Sequence, residues 1–137
     1  MDDREQIEEQ TRRNLDGMDL ERNGRLDLAL ELYEQNVEDG FEGDWPYGRL
    51  VAYYEKIGRY DEAERVLNRA IDVFKASKKR TAADRRATVQ VFRNRLRLVK
   101  KSAKEAARGQ SRSFEPLPMA DEGGTPSGAS GGAESGP

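Results

Sequence analysis

Side chains able to carry catalysis are scarce in this sequence. It contains no His and no Cys, which removes imidazole bases, thiolate nucleophiles, disulfides and the common structural zinc sites. Every Ser lies at Ser77 or beyond, and no phosphate-cradling glycine loop, Ser-centred triad or metal-ligand spacing is present. What remains is charge, with 24 Lys and Arg and 26 Asp and Glu in 137 residues. Paired carboxylates do acid–base work only where one of them has a raised pKa, and in a chain this acidic such pairs arise by chance. The chemistry on offer is recognition. Neither an enzyme nor a bound cofactor or metal is expected.

The net charge of −2 conceals an asymmetry. Residues 1–76 carry 11 basic and 20 acidic side chains, a balance of −9, whereas residues 77–108 carry 12 and 2, a balance of +10. Blocks of opposite sign and similar size attract each other within a chain or between chains. Within the basic block, Arg86, Arg93, Arg97, Lys100, Lys104 and Arg108 fall on one side of a helix at about 100° per residue, forming a ridge about 33 Å long. Three readings stay open for it, in order of preference: a solvated face, a surface for an acidic protein such as a second copy, and a contact for nucleic-acid phosphates. The last is the weakest because no aromatic residue interleaves the ridge and the acidic block repels a polyanion.

The elements that would position these charges are set by a repeat. Gly24-Arg25-Leu26-Asp27-Leu28-Ala29 returns 34 residues later as Gly58-Arg59-Tyr60-Asp61-Glu62-Ala63. In each copy an apolar helical stretch runs into Gly, which permits the positive φ that ends a helix. A second helix then starts at an Asp able to accept hydrogen bonds from its orphan amides. Ala29 and Ala63 fall where that second helix crosses the first, and a small side chain there lets two axes approach to about 8–10 Å. The spacing predicts a first helix over 3–22, with Ile7, Leu15, Met18 and Leu20 as sparse apolar positions. A second, over 27–39, buries Ala29, Leu30, Tyr33 and Val37. A loop holding Phe41 and Trp45 leads to a third helix opened by Pro46, with Tyr47, Leu50, Val51, Tyr54 and Ile57 at helical spacing. A fourth, over 61–76, places Ala63, Val66, Leu67, Ala70, Ile71 and Phe74 on one broad face.

Thr81, with Asp84 three residues on, is an acidic variant of a capping box and opens a fifth helix over 81–108. Its stripe of Val89, Phe92, Leu96, Val99, Ala103 and Ala106 suits a lid over the open end of a repeat array, and Gly109 is expected to stop it. Residues 109–137 hold seven of the thirteen Gly and four of the five Pro, so a disordered tail is expected there. Inside it, Phe114-Glu115-Pro116-Leu117-Pro118-Met119 resembles a short linear binding segment.

In its second copy, at Tyr47, Leu50, Tyr54, Gly58, Tyr60, Asp61, Glu62, Ala63 and Ala70, the chain resembles the tetratricopeptide repeat (TPR) family, whose units are 34 residues long. The first copy offers Gly17, Leu20, Gly24, Leu26, Asp27, Ala29 and Tyr33. Arg13 stands where the family often has Trp, Asn36 replaces a small apolar residue, and neither copy ends in the usual Pro. The resemblance implies an all-α fold: a short α-solenoid of two helical hairpins, about 10–43 and 44–77, with a capping helix over 81–108. Residues 1–108 would be the domain and 109–137 the tail.

It also implies a non-enzymatic scaffold or adaptor that binds a peptide or helix of a partner protein in a groove lined by the first helix of each pair. Asn14, Leu15, Met18, Glu21 and Arg22, with Gly48, Arg49, Ala52, Glu55 and Lys56, would line it. The clamp for a C-terminal carboxylate found in some members is not implied, because Asn14 and Met18, then Gly48 and Ala52, occupy its positions. The alternative function is a nucleic-acid-associated protein working through the basic helix. No signal-like apolar stretch follows Asp2, Asp3, Arg4 and Glu5, and no apolar run of membrane-spanning length exists; a soluble, cytoplasmic protein without a membrane partner is expected.

Overall fold

The structure, a computed structural model, describes residues 2–113. The described residues are all α: α1 (Asp3–Arg22), α2 (Leu26–Glu38), α3 (Trp45–Lys56), α4 (Tyr60–Lys75) and α5 (Ala82–Ser113), with no strand among them. The chain divides into two compact units, Met1–Ala103 and Lys104–Pro137. In the first, α1 packs on α2, α3 on α4, and α2 on α3 and α4.

Both hairpins turn in the same way. Gly24 and Gly58 have φ of 78° and 75°, a left-handed conformation open to Gly at little cost. Around them Arg25 N–H donates to the Leu20 carbonyl (2.8 Å) and Gly24 N–H to that of Glu21 (3.1 Å). At the same offset of 34, Arg59 N–H donates to Tyr54 (2.8 Å) and Gly58 N–H to Glu55 (3.1 Å). This double closure satisfies carbonyls that the helix end would otherwise orphan.

Neither aspartate is the cap residue of its helix, although the Asp61 carboxyl, held below its ordinary value first by Arg59, also accepts from the Glu62 backbone N–H. The cap positions are Arg25 and Arg59, without a side-chain cap hydrogen bond; their carbonyls accept the first intrahelical bonds, from Ala29 and Ala63 (3.1 Å each). Asp27 and Asp61 fall in the first turn instead, where a negative charge complements the helix dipole. At α5 the expected cap is present: Asp84 N–H donates to Thr81 Oγ1 (3.1 Å).

α1 meets α2 through a different face from the one its apolar residues suggest. Ile7 and Leu15 are exposed, while Gln10 and Gly17 are buried. A Cβ on Gly17 would lie 2.6 Å from Tyr33 Cε1, so Gly is what lets the fully buried Tyr33 ring lie against the α1 backbone. Beside it, Arg13 Nη1 donates to Asn36 Oδ1 (2.9 Å) and Asp39 Oδ2 (2.8 Å), and Asn36 Nδ2 donates to the Gln10 carbonyl (2.9 Å). The two unusual residues, Arg13 and Asn36, thus satisfy each other in the interior, as a buried amide requires.

The rest of the core follows the apolar periodicity. Ala29, Tyr33, Val37, Tyr47, Leu50, Val51, Ala63, Val66, Leu67, Ala70, Ile71 and Phe74 are buried together with Val89, Phe92 and Val99 of α5. Ile57 is the exception at 48 % exposure, because it is the C-cap residue of α3 rather than part of its inward stripe. Trp45 is the first residue of α3, not part of the loop before it.

α5 is held to the hairpins by Phe92, whose ring centroid lies 5.3 Å from that of Phe74 and 6.1 Å from that of Tyr47. The turn before α5 uses its cations structurally. Arg80 stacks 4.8 Å over the Phe74 ring and donates to the Glu42 carbonyl (3.0 Å), while Arg85 donates to the carbonyls of Ser77 and Arg80 (3.1 and 2.7 Å). In the second unit α5 continues through Gly109 to Ser113. Gly109 does not have a positive φ, and a Gly ends a helix when it adopts that conformation; the expected stop at 108 is therefore corrected. The tail from 114, with Phe114 to Met119, lies outside the described residues.

Ala63 is fully buried at the helix crossing, whereas its neighbour Glu62 is half-buried. Ala63→Leu is expected to lower stability by about 1–3 kcal/mol through overpacking, and Glu62→Leu by much less. Equal shifts of the two urea midpoints would contradict this packing.

Candidate functional site

α1, α2 and α3 are linked by a closed ring of polar contacts. Trp45 Nε1 donates to Tyr33 Oη (3.1 Å), the Tyr33 hydroxyl donates to Glu21 Oε1 (2.8 Å), and Arg49 donates to Glu21 Oε2. The Arg49 guanidinium then lies 5.8 Å from the Trp45 ring centroid, closing the ring with a cation–π contact. Of the residues expected to line a groove, Glu21 and Arg49 are brought together directly. Asn14 and Met18 are half-buried one turn apart on α1, with Asn14 Nδ2 3.8 Å from Met18 Sδ. Ala52 and Gly48 are half-buried on α3, and a Cβ on Gly48 would meet open space.

Leu15, Arg22 and Lys56 stand exposed, and Arg22 is paired with Asp19 on its own helix. Glu55 turns to α5, accepting from Arg95 at 2.7 Å. Two buried polar atoms have no hydrogen-bond partner among the described residues, Asn14 Oδ1 and Arg49 Nε. Both belong to the expected groove set.

A cleft of about 580 Å³ continues this surface between α3 and α5. Val51, Leu67 and Phe92 form its apolar floor, Trp45 and Arg49 one wall, and Val91, Arg95 and Leu98 the other. Trp45, Val91 and Leu98 are 42 %, 64 % and 56 % exposed, which makes them an apolar patch rimmed by two guanidiniums. Val91 and Leu98 lie seven residues apart, off the buried stripe of α5 by about one third of a turn. That second, weaker period in the sequence is the signal by which this wall could have been found.

Burial would raise the carboxyl of Glu21, but hydrogen bonds from Arg49 and Tyr33 and the Arg49 charge outweigh it and hold the group below the ordinary 4.5. Burial pushes the Tyr33 hydroxyl up to about 12, with the Glu21 carboxylate adding to the rise and the Trp45 hydrogen bond opposing it. A carboxylate held below its unfolded value stabilises the fold above that value, and its contribution is lost as pH falls through the folded value. Glu21→Gln is therefore expected to be less stable than the parent near neutral pH, and the gap is expected to narrow as pH falls below the ordinary 4.5 toward the lowered folded value. Parallel urea curves from neutral pH into acid check this; a gap that stays unchanged throughout contradicts it.

On the far side of α5 the ridge residues Arg86, Arg93, Arg97 and Lys100 are exposed, and Arg97 donates only to Asn94 Oδ1 (3.2 Å). Lys104 and Arg108, in the second unit, are exposed as well. Arg95, between these positions in sequence, belongs to the groove side. Among the described residues no group of His, Cys, Asp and Glu suited to a metal ion is present, and no helix is long and apolar enough to cross a membrane.

No family model, curated protein or solved structure matches this chain.

Proposed function

We propose that this chain is a non-enzymatic protein–protein interaction scaffold of the TPR kind. Two 34-residue hairpins form a short α-solenoid with α5 over its open end, and a peptide or helix of a partner protein lies in the groove along α1, α3 and α5. The cleft between α3 and α5 carries this reading: three large apolar side chains, Trp45, Val91 and Leu98, are left in solvent over a packed apolar floor, where exposed clustered apolar surface marks an interaction site. The equal turns at Gly24 and Gly58 support the repeat. Cytoplasmic residence is part of the same proposal.

The partner segment carries one or two apolar anchors to meet the exposed Trp45, Val91 and Leu98; Arg49 and Arg95 at the rim are already paired with Glu21 and Glu55. Truncating a central aromatic anchor of an interface costs about 2 kcal/mol or more, roughly a thirtyfold loss in affinity. Capture of partners from cell extract should therefore yield a protein that wild type and Arg93→Glu retain and that Trp45→Ala and Leu98→Glu lose. A partner kept by both groove variants and lost by Arg93→Glu would overturn the groove assignment.

A further inference from the structure

The ridge on α5 lies away from the groove and has a complement elsewhere on the same chain. Arg86, Arg93 and Arg97 are exposed, and no carboxylate among the described residues is within ion-pair distance of any of them. On α2, Asp27, Glu31 and Glu38 are exposed; the carboxylates of Glu31 and Glu38 have no cation within that distance among the described residues, Arg69 being spent on the Val37 and Glu38 backbone carbonyls (3.0 and 2.8 Å), and Asp27 has only Arg25 at 3.9 Å. Each set falls within about 40° on its helix surface.

The spacings match in one direction only. Asp27, Glu31 and Glu38 are separated by four and then seven residues, about 6 and 10.5 Å of helix. Arg97, Arg93 and Arg86, read backwards along α5, are separated by the same intervals; read forwards they are not. Gln35 and Gln90, both exposed, fall in the wide interval of each row, where their amides meet without a charge clash.

We propose that a second copy of this chain lays its α2 antiparallel along α5, with Asp27 opposite Arg97, Glu31 opposite Arg93 and Glu38 opposite Arg86. Charge complementarity selects this occupant. The two blocks of −9 and +10 remain largely unneutralised within one chain and neutralise each other between chains. A nucleic-acid duplex would meet the same ridge but would gain nothing from the matched intervals, and the carboxylate rows would repel it. The contact is transient rather than obligate, because exposed ion pairs are weak and screened by salt. It leaves the groove between α3 and α5 open, so it stands or falls independently of the proposed scaffold function.

Sedimentation of the full chain tests this at an ionic strength of about 10 mM, where the Debye length is about 30 Å, and at about 1 M, where it is about 3 Å. Wild type should associate in the first condition and sediment as a monomer in the second. Arg86→Glu with Arg93→Glu, and separately Glu31→Lys with Glu38→Lys, should each weaken association about tenfold or more at low ionic strength. An equimolar mixture of the two variants, and a single chain carrying all four changes, should restore it. The restored pairs distinguish this contact from general stickiness and from loss of folding. Monomeric wild type at low ionic strength, or variants that fail to rescue each other, would overturn the proposal. Duplex DNA binding that the Arg variant abolishes while self-association is unchanged would do so too.

Discussion

Phe74→Ala is expected to lower stability by about 3–5 kcal/mol, the loss typical of a large aromatic removed from a core. Phe74 is fully buried at the junction of three elements. Its ring meets Tyr47 of α3 edge-on at 5.7 Å, lies 5.3 Å from Phe92 of α5, and carries Arg80 at 4.8 Å on its face. Removal of the ring leaves a cavity that α4 cannot close without dragging on both neighbours, and it strips Arg80 of its cation–π partner. Against a native stability of about 5–15 kcal/mol for a domain of this size, the change approaches the limit of what the fold tolerates. Urea unfolding followed by circular dichroism measures it. A loss below about 1 kcal/mol, inside the range of ordinary surface substitutions, would contradict the central position given to this ring.

A chain ending at Ala76 is expected to lose its stable monomeric fold. It lacks Phe92, Val89 and Val99, all buried, and so exposes the rings of Tyr47 and Phe74 along with Val66 and Ile71. An uncovered patch of this kind drives association or unfolding, so a helix packed over it needs an apolar inner and a polar outer side. α5 has that form, with Val89, Phe92 and Val99 inward and Arg86, Arg93, Arg97 and Lys100 outward. Light scattering and circular dichroism together should show association or lost helicity. A soluble, helical monomer of residues 1–76 would mean that α5 is an appendage and not part of the fold.

Most of the fold was legible because its signals are local. The Gly24 and Gly58 turns, the period-3.6 stripe of α4 and the Thr81 cap each depend on a few adjacent residues, and all stand where the sequence places them. α1 is less legible: of its apolar positions Leu20 packs on the core while Ile7 and Leu15 are exposed, and most of its inward face is carried by Gln10, Arg13 and Gly17. A helix that docks through a missing side chain and a hydrogen-bond network leaves no apolar stripe to detect. Asp27 and Asp61 fall in the first turn and not at the cap position: acidic residues near a helix start serve either as caps or as first-turn charges, and only backbone geometry separates the two.

The residues of the proposed groove were legible only in part. Asn14, Met18, Glu21, Arg49 and Ala52 follow from the hairpin geometry that the family resemblance implies. The α5 wall of Val91, Arg95 and Leu98 did not, because its two apolar residues lie off the dominant buried stripe of that helix and form too short a row to stand out from it. Glu55 shows the same effect, since its partner Arg95 lies on that weaker side of α5.

The central claim, that the chain binds a partner segment in this groove, has a built-in reporter. Trp45 is the only tryptophan in the sequence, and it stands 42 % exposed on the groove wall. A titration of the full chain with the segment of a captured partner, read by Trp45 emission, tests the claim most directly. Saturable movement of the emission to shorter wavelength, with at least about a tenfold weaker midpoint in Leu98→Glu, is the predicted result. Tight binding of that segment, measured by calorimetry, with Trp45 emission unchanged and Leu98→Glu indistinguishable from wild type, would place the partner elsewhere and contradict the account.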